Sequence, residues 1–186
     1  KLPGLGRRSA ERAALALLRK PELLLDTLTA ALQEARATVC CCTVCGGFTS
    51  REQNPCALCT DASRDGAVLC VVEEPSDIFA IERSGGYRGR YHALMGKLSP
   101  ARQTGPADLR LRALAERIGR GGVTEVLLAL STDMEGDATA GFIGELLRPL
   151  GVRVTRLAFG LPADSGVGYS DPLTLKRAIS GRIACG

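Results

Sequence analysis

Four cysteines of this sequence stand in two C-x-x-C pairs, and only a short loop separates the pairs: Cys42 with Cys45, and Cys56 with Cys59. Two such pairs can place four thiolates at tetrahedral spacing, which is the arrangement that a structural zinc ion requires. The single histidine, His92, lies far downstream, so a zinc site in this stretch must be built from cysteine alone. We predict a closed zinc site with no coordination position left for a substrate.

Three consecutive cysteines leave the identity of the first ligand open, because Cys41 can replace Cys42. Cys42 gives the shorter and commoner spacing and is preferred. Disulfides are disfavoured, since a chain of 186 residues with 45% hydrophobic content can bury a core without cross-links. A thioredoxin-like motif would open a helix after a strand, whereas these pairs lie in loops rich in glycine and proline. Cys70 lies inside an apolar run and is predicted to be a core residue.

Positive charge is concentrated at the start of the chain. Residues 1–20 contain Lys1, Arg7, Arg8, Arg12, Arg19 and Lys20 against Glu11 alone, although the formal net charge of the whole chain is only +4. A basic segment on a near-neutral body indicates a localised contact with a polyanion.

Within this segment, Gly4 and Gly6 flank one apolar residue immediately before a helical pattern. A tight turn of this kind can present backbone N–H groups to a phosphate oxygen. Arg7 follows the turn, and Arg8 and Arg12 are spaced to share one helical face. A helix-hairpin-helix motif holds a nucleic-acid backbone in this way without reading bases. The alternative is an ordinary turn before an amphipathic helix whose arginines are solvated.

The chain begins at Lys1 without a methionine, so we expect the first helix of this motif, and any targeting signal, to lie upstream. Pro21 is expected to end the helix that follows the glycine turn. The apolar residues from Leu25 to Ala35 predict another helix, which reaches the cysteines. Apolar runs such as Val126 to Leu130 are far too short to cross a bilayer, so we expect a soluble protein.

From Ala67 onward the hydrophobic period changes, and strand and helix patterns alternate. The predicted strands are Val68–Val72, Tyr91–Met95, Glu125–Leu130 and Val152–Leu157. The predicted helices are Ser76–Arg83, Leu109–Ile118, Gly136–Leu150 and Leu173–Ile179, with a loop from Leu161 to Pro172. Alternation of this kind predicts a parallel sheet covered on both faces.

Two of these strands end in acidic residues: Glu73, Glu74 and Asp77 after the first, and Asp133, Glu135 and Asp137 after the third. Functional groups gather at the carboxyl ends of parallel strands, and carboxylates that converge there can hold Mg²⁺. The alternative, which we favour for Asp77 and Asp137, is that they are solvated acids or helix N-terminal acids. His92 has no nucleophile or cysteine motif beside it and is interpreted as structural.

Several fragments now combine in a characteristic order: the Leu-Pro-Gly-x-Gly turn, the two C-x-x-C pairs, Cys70 to Asp77, Gly89 to Tyr91, Leu98 to Pro100, Glu135 to Thr139, and Ala178 to Arg182. In this order and spacing they resemble the RecR family of bacterial recombination mediators. The resemblance covers essentially the entire chain.

The resemblance implies an α+β chain of four parts. These are a helix-hairpin-helix DNA-binding segment at 1–39, a four-cysteine zinc finger at 40–65, an α/β Toprim domain at 66–160, and a C-terminal loop and helix at 161–186 that contacts another subunit. It also implies a non-enzymatic protein that binds DNA as a ring-shaped homotetramer in the bacterial cytoplasm, associated with the nucleoid. With RecO, RecF or both, such a protein helps to load RecA at gaps. Arg8 stands where the family carries a lysine, and Arg12 matches a family arginine.

The Toprim fold also occurs in topoisomerases and primases, which supplies a rival hypothesis of magnesium-dependent phosphoryl transfer by a topoisomerase-, primase- or nuclease-like enzyme. Glu73, Asp133 and Glu135 fit the acids of that fold, but Ser131 occupies the first position of its D-x-D pair. Asp133, in contrast, is a departure from the RecR pattern and not from that of the enzymes, since RecR proteins usually lack an acid there. Magnesium binding therefore stays open, and we expect any bound magnesium not to be catalytic. The resemblance further suggests that the surface around Glu135 meets RecO.

Overall fold

The computed structural model describes residues 4–158, 160 and 167–181. The first residues of the glycine turn, residues 161–166 of the predicted loop from Leu161 to Pro172, and the last cysteine, Cys185, lie outside the described residues.

The chain before the cysteines forms two helices, α1 (Arg7–Arg19) and α2 (Asp26–Thr38), joined by a π-helical turn at Pro21–Leu25. Pro21 ends α1 as predicted, because proline has no N–H to donate and its ring clashes with the preceding turn. Neither helix buries any residue, and Leu18 on the predicted apolar face of α1 is 67% exposed. The described chain therefore leaves that face uncovered.

The cysteine-rich segment contains short elements that the loop interpretation missed. Strands β1 (Val39–Cys41) and β2 (Phe48–Ser50) form an antiparallel hairpin, and one helical turn, α3 (Ala57–Thr60), follows it. We refer to residues 39–60 as the cysteine finger. Three-residue strands leave too little alternation in the sequence to be recognised.

A four-stranded parallel sheet forms the body, as predicted. It contains β3 (Asp65–Val72), β4 (Gly89–Ala93), β5 (Glu125–Ala129) and β6 (Arg153–Arg156) in the spatial order β4-β3-β5-β6. The larger helices around it are α4 (Pro75–Ser84), α5 (Leu111–Gly119), α6 (Met134–Leu147) and α7 (Pro172–Ser180). No helix in the described parts of the chain is long and apolar enough to cross a membrane.

Both faces of the sheet are covered. Successive side chains of a strand point to opposite sides, so β3 contributes to a buried cluster on each side. Leu69 and Val71 of β3 pack with residues of α5 and α6 in one buried cluster. Cys70 and Val72 pack with Ile78 of α4 and the cysteine finger in the other. The finger is thus part of the protein core.

Most element boundaries differ by one to three residues from the sequence prediction, and two of the differences have a visible cause. Strand β4 ends at Ala93, before Met95 and Gly96 adopt positive φ angles of 68° and 138°. Helix α6 begins at Met134, two residues earlier than predicted, because the Asp133 side chain caps it by accepting a hydrogen bond from the Gly136 N–H at 2.7 Å. Glu135 therefore lies in the first turn of α6 and not before it.

Candidate functional site

The four predicted zinc ligands lie together and are buried. All four Sγ atoms lie within 4.8 Å of one another. Two pairs are closer, Cys42 to Cys59 at 3.9 Å and Cys45 to Cys56 at 3.5 Å. A tetrahedral ion with bonds of about 2.3 Å to sulfur places its ligands about 3.8 Å apart. The side chains therefore fit a metal ion of that size, and the exposed Cys41 is excluded as the first ligand.

Backbone N–H groups support two of these sulfur atoms. The Gly47 N–H donates to Cys45 Sγ, and the Cys56 N–H donates to Cys42 Sγ, both at 3.3 Å. Hydrogen bonds from the thiols around it, chiefly that of Cys59, lower the pKa of Cys45 to about 5, whereas burial raises the pKa of Cys56 to about 11. Cys56 therefore keeps its proton when no metal is bound, and a bound metal ion must displace it.

Arg110 fastens the cysteine finger to the sheet. Its guanidinium donates to the Val44 carbonyl at 3.2 Å and to the Ala93 carbonyl at 3.3 Å. Gly46 permits this approach, because a Cβ there would lie 2.1 Å from Arg110 Nη1, and its φ of 81° also favours glycine. The Ala93 N–H donates to the Cys45 carbonyl at 2.7 Å, so β4 and the metal-binding loop are directly joined.

The predicted DNA-binding residues lie together at the exposed start of α1. Gly4 adopts a φ of 74°, and Gly6 is the N-cap residue of the helix. The first turn contains no acidic residue, and no side chain of the described residues caps it, so among these residues its N–H groups are open to an anion. Arg8 and Arg12 line one depression together with Glu11, whose carboxylate pairs with Arg7 at 3.0 Å.

The three predicted Toprim acids also converge. The sheet register pairs Val72 of β3 with Ala129 of β5, so the residues that follow these strands are neighbours. The Ser131 N–H and hydroxyl lie 2.7 Å and 2.6 Å from Glu73 Oε1, and the same hydroxyl lies 3.0 Å from Asp133 Oδ1. Ser131 therefore links two carboxylates and supplies no third charge of its own.

Lys97, which the sequence analysis overlooked, reaches into this group. Its ammonium donates to Asp133, lies 3.0 Å from Ser131 Oγ, and lies 3.8 Å from Glu135 Oε2. We call Glu73, Lys97, Ser131, Asp133 and Glu135 the carboxylate cluster. The bond to Lys97 is the main reason that the pKa of Asp133 falls to about 2, and bonding to Asp133 in turn raises the pKa of Lys97.

A cation already lies between two of these acids. A magnesium ion requires oxygen ligands at about 2.0–2.1 Å in octahedral geometry, and between Asp133 and Glu135 the ammonium of Lys97 takes that place. Glu135 is engaged as well, because it accepts a hydrogen bond from the hydroxyl of Ser99.

The remaining acids have the structural roles that we favoured. Asp77 accepts a hydrogen bond from the Glu74 N–H at 2.8 Å and completes the capping box of α4. Asp137 lies in the first turn of α6 and pairs with Arg156 at 2.8 Å and Arg177 at 2.9 Å. Arg177 thereby ties α7 to the end of the sheet that holds the carboxylate cluster.

His92 and Cys70 belong to the core, and both are fully buried. The Nε2–H of His92 donates to the Arg110 carbonyl at 3.0 Å, and burial lowers the pKa of His92 to about 4. Burial raises the pKa of the Cys70 thiol to about 12, so neither side chain is ionised at neutral pH.

Lys97 could have been found from the sequence by the rule that selected the acids. Gly96-Lys97-Leu98 follows the strand candidate Tyr91–Met95, and β4 borders β3 in the sheet. A lysine after that strand thus belongs to the same edge. Arg110 carried no such signal, since its contacts depend on how the cysteine finger packs.

Comparisons with known proteins agree with this geometry. A family model described as a Toprim domain matches residues 67–158, and a model described as RecR, C-terminal matches residues 160–183. A protein of Desulforudis audaxviator named Recombination protein RecR is 47% identical over 182 residues, which is 98% of this chain and 91% of the relative. Proteins of the same name from Bifidobacterium longum subsp. infantis and Chlorobium luteolum are 46% and 44% identical, with 98% and 99% of this chain covered and 90% and 92% of the relatives.

A parallel sheet that matches the Toprim domain, with a buried four-cysteine cluster packed against it, defines a Toprim protein with a cysteine-rich metal-binding element. The relatives match nearly the full chain at well above 30% identity. The chain belongs to the RecR family.

Proposed function

We propose that this chain is a non-enzymatic DNA-binding mediator of recombinational repair. In the proposed mechanism it acts as a clamp or scaffold, forms a ring-shaped homotetramer on nucleoid DNA in the cytoplasm, and works with RecO, RecF or both to help load RecA at gaps. The observation that carries the proposal is 47% identity over 98% of the chain to a protein named Recombination protein RecR. We further propose that its four functional parts are residues 1–39, 40–65, 66–160 and 161–186.

The DNA contact is assigned to the start of α1. Gly4 and Gly6 leave the first turn of the helix without a side-chain cap or an acid, and the arginines supply positive charge beside it. Arg8 and Arg12 form no ion pair among the described residues, so they are available to phosphates, whereas Arg7 is shared with Glu11. Phosphate contacts of this kind are independent of base sequence and weaken with salt.

Zinc is proposed as the metal of the cysteine finger. Four thiolates at tetrahedral spacing favour zinc over magnesium or calcium, which prefer oxygen ligands. The sulfur atoms of Cys42, Cys45, Cys56 and Cys59 would occupy all four positions, so the ion would have a structural role and would hold the finger against the sheet.

The exposed side of the carboxylate cluster is proposed as a contact for RecO. Asp133 keeps 53% of its side chain exposed and Glu135 keeps 30%, although both are hydrogen-bonded within the chain. Rim carboxylates of this kind favour a basic partner surface. Co-migration with purified RecO in gel filtration tests the assignment. Glu135→Ala should weaken it, and Glu145→Ala, an exposed acid further along α6, should not.

The DNA-binding proposal is tested with a double variant, Arg8→Ala with Arg12→Ala, and fluorescence anisotropy on labelled gapped DNA. Each phosphate contact contributes about 0.9 to the slope of log affinity against log salt, so losing two lowers the slope by about 1.8 per subunit. Between about 50 and 200 mM salt, the wild type should therefore lose about tenfold more affinity than the double variant. The matched control is Arg112→Ala with Arg120→Ala, which removes the same charge from exposed positions on and after α5.

Unchanged affinity and salt slope in the Arg8 and Arg12 variant would refute the assignment, as would an equal loss in the control. Light scattering on both variants checks that oligomer size is retained. Incubating supercoiled and gapped DNA with the wild type and Mg²⁺ tests the non-enzymatic character. Cut or relaxed DNA that disappears in Glu73→Gln would instead establish catalysis by the Toprim acids.

A further inference from the structure

We propose that Lys97 is the resident cation of the carboxylate cluster, that it takes the place of a divalent metal there, and that its removal converts the cluster into a divalent-metal site. This inference does not depend on DNA binding. It concerns a residue that neither the acidic motif nor the four-cysteine motif includes.

The backbone on both sides of Lys97 is fixed, so the ammonium is held in the cluster and is not a mobile surface charge. The Gly96 N–H donates to the Glu73 carbonyl at 2.9 Å, and the Leu98 N–H donates to Thr139 Oγ1 at 3.0 Å. Thr139 is fully buried on α6. These two bonds tie the lysine loop both to the end of β3 and to the helix that carries Glu135.

The lysine side chain is correspondingly well covered, with only 17% of it exposed. Burying most of an ammonium is costly unless acceptors surround it. Here the acceptors are carboxylate oxygens of Asp133 and Glu135 and the hydroxyl of Ser131. The same oxygen atoms are those that a hard divalent ion would use.

The charge balance explains why a variant without the Lys97 ammonium should bind a metal ion. Three carboxylates meet at the carboxyl ends of β3 and β5, and Lys97 supplies a positive charge that interacts with all three. If that charge is removed, mutual repulsion among the acids is relieved by proton uptake or by a divalent ion. Manganese is a suitable probe, because it accepts oxygen ligands as magnesium does and its free form is observed directly.

The first measurement uses the zinc-loaded full chain and Mn²⁺, with free Mn²⁺ followed by electron paramagnetic resonance. The wild type should bind no Mn²⁺ at millimolar concentration, and Lys97→Met should bind one ion per chain. Lys176→Met, which removes an exposed lysine charge on α7, should behave as the wild type does. Lys97→Arg, which keeps a cation in the cluster, should also bind none.

Thermal denaturation gives an independent result. For Lys97→Met, an Mn²⁺ concentration tenfold above the dissociation constant should raise Tm by about 3–6 °C, and the wild type should not respond. If Lys97→Met proves too unstable to purify, Lys97→Met with Asp133→Asn relieves the repulsion. That double variant should fold and should still bind Mn²⁺ through the remaining acids, whereas Asp133→Asn alone, which keeps Lys97, should bind none.

Two results would overturn the proposal. The first is a wild type that binds Mn²⁺ as tightly as Lys97→Met, because the ammonium would then not occupy the cation position. The second is a folded Lys97→Met variant, or a folded double variant where Lys97→Met cannot be purified, that binds no Mn²⁺, because the acids would then not form a cation site at all.

Discussion

Replacing His92 should change how the stability of the protein depends on pH. His92 is the single histidine of the sequence and is fully buried in β4. Its Nε2–H donates to the Arg110 carbonyl, and Nδ1 has no hydrogen-bond partner within the described chain. The imidazolium form would thus place a second N–H in the core without an acceptor. Burial, followed by the positive charges of Arg110 and Arg117, accordingly lowers the pKa of His92 to about 4.

The direction follows from proton counting. In the unfolded chain the pKa of His92 is about 6.5, so below that pH the unfolded state binds a proton that the native state does not. Stability is therefore present above pH 6.5 and is lost as the pH falls from 6.5 towards 4. Between pH 7.5 and 5.5 the loss due to His92 is about 1.4 kcal/mol, or about tenfold in the unfolding equilibrium constant.

The assay is urea denaturation at several pH values between 7.5 and 5.5, on the wild type and on His92→Gln, whose amide can still donate to the Arg110 carbonyl. The free energy of unfolding of the variant should fall by about 1.4 kcal/mol less over this range. Cys70→Ala, a buried change without a group that titrates in the range, should destabilise the protein and keep the wild-type pH dependence. Equal pH dependence in His92→Gln and wild type would refute the reasoning.

Three further predictions concern the cysteine finger and α6. Cys59→Ser should lose the metal and much of the folded structure, whereas Cys41→Ser should keep one zinc per chain by atomic emission. The reason is that Cys59 is one of the four clustered cysteines and Cys41 is not. Arg110→Ala should lose about 1–3 kcal/mol of stability and release zinc to a colorimetric chelator faster, since two carbonyls of the finger and β4 lose their donor. Gly136→Ala should lower the free energy of unfolding by about 1–3 kcal/mol, because its Cβ would lie 2.1 Å from a backbone oxygen. Gly141→Ala in the same helix meets no atom within 4 Å and should raise it by about 0.5–1 kcal/mol in the same denaturation experiment.

The sequence was sufficient to predict the sheet because its signal is local and repeated. Buried strands such as β3 and β5 are continuous apolar runs, and each is followed by a helical pattern, which leaves a parallel sheet as the simplest architecture. The metal ligands could be predicted equally well, since spacing alone nearly defines a four-cysteine site. Only the choice between Cys41 and Cys42 needed coordinates, because both satisfy the spacing and only packing decides which thiol points inward.

The carboxylate cluster was predicted only in part, because its composition depends on contacts between distant positions. Glu73, Asp133 and Glu135 could be grouped by their place after strands. The cation among them could not be assigned without knowing that the loop after β4 is tied to Thr139 of α6. The uncovered faces of α1 and α2 are a second example, since periodicity predicts an apolar face but does not identify what packs on it.

The two charged clusters of this protein illustrate different ways to stabilise negative groups. Four thiolates around one zinc ion retain a net charge of about −2. Arg110 and Arg117 lie close by, where they donate to carbonyls of the finger and of β4. The carboxylate cluster instead receives its cation from Lys97, which is covalently part of the chain. A metal ion bound by thiolates can dissociate, whereas a lysine cannot leave the chain. The positive charge of the carboxylate cluster therefore does not depend on the supply of a free cation.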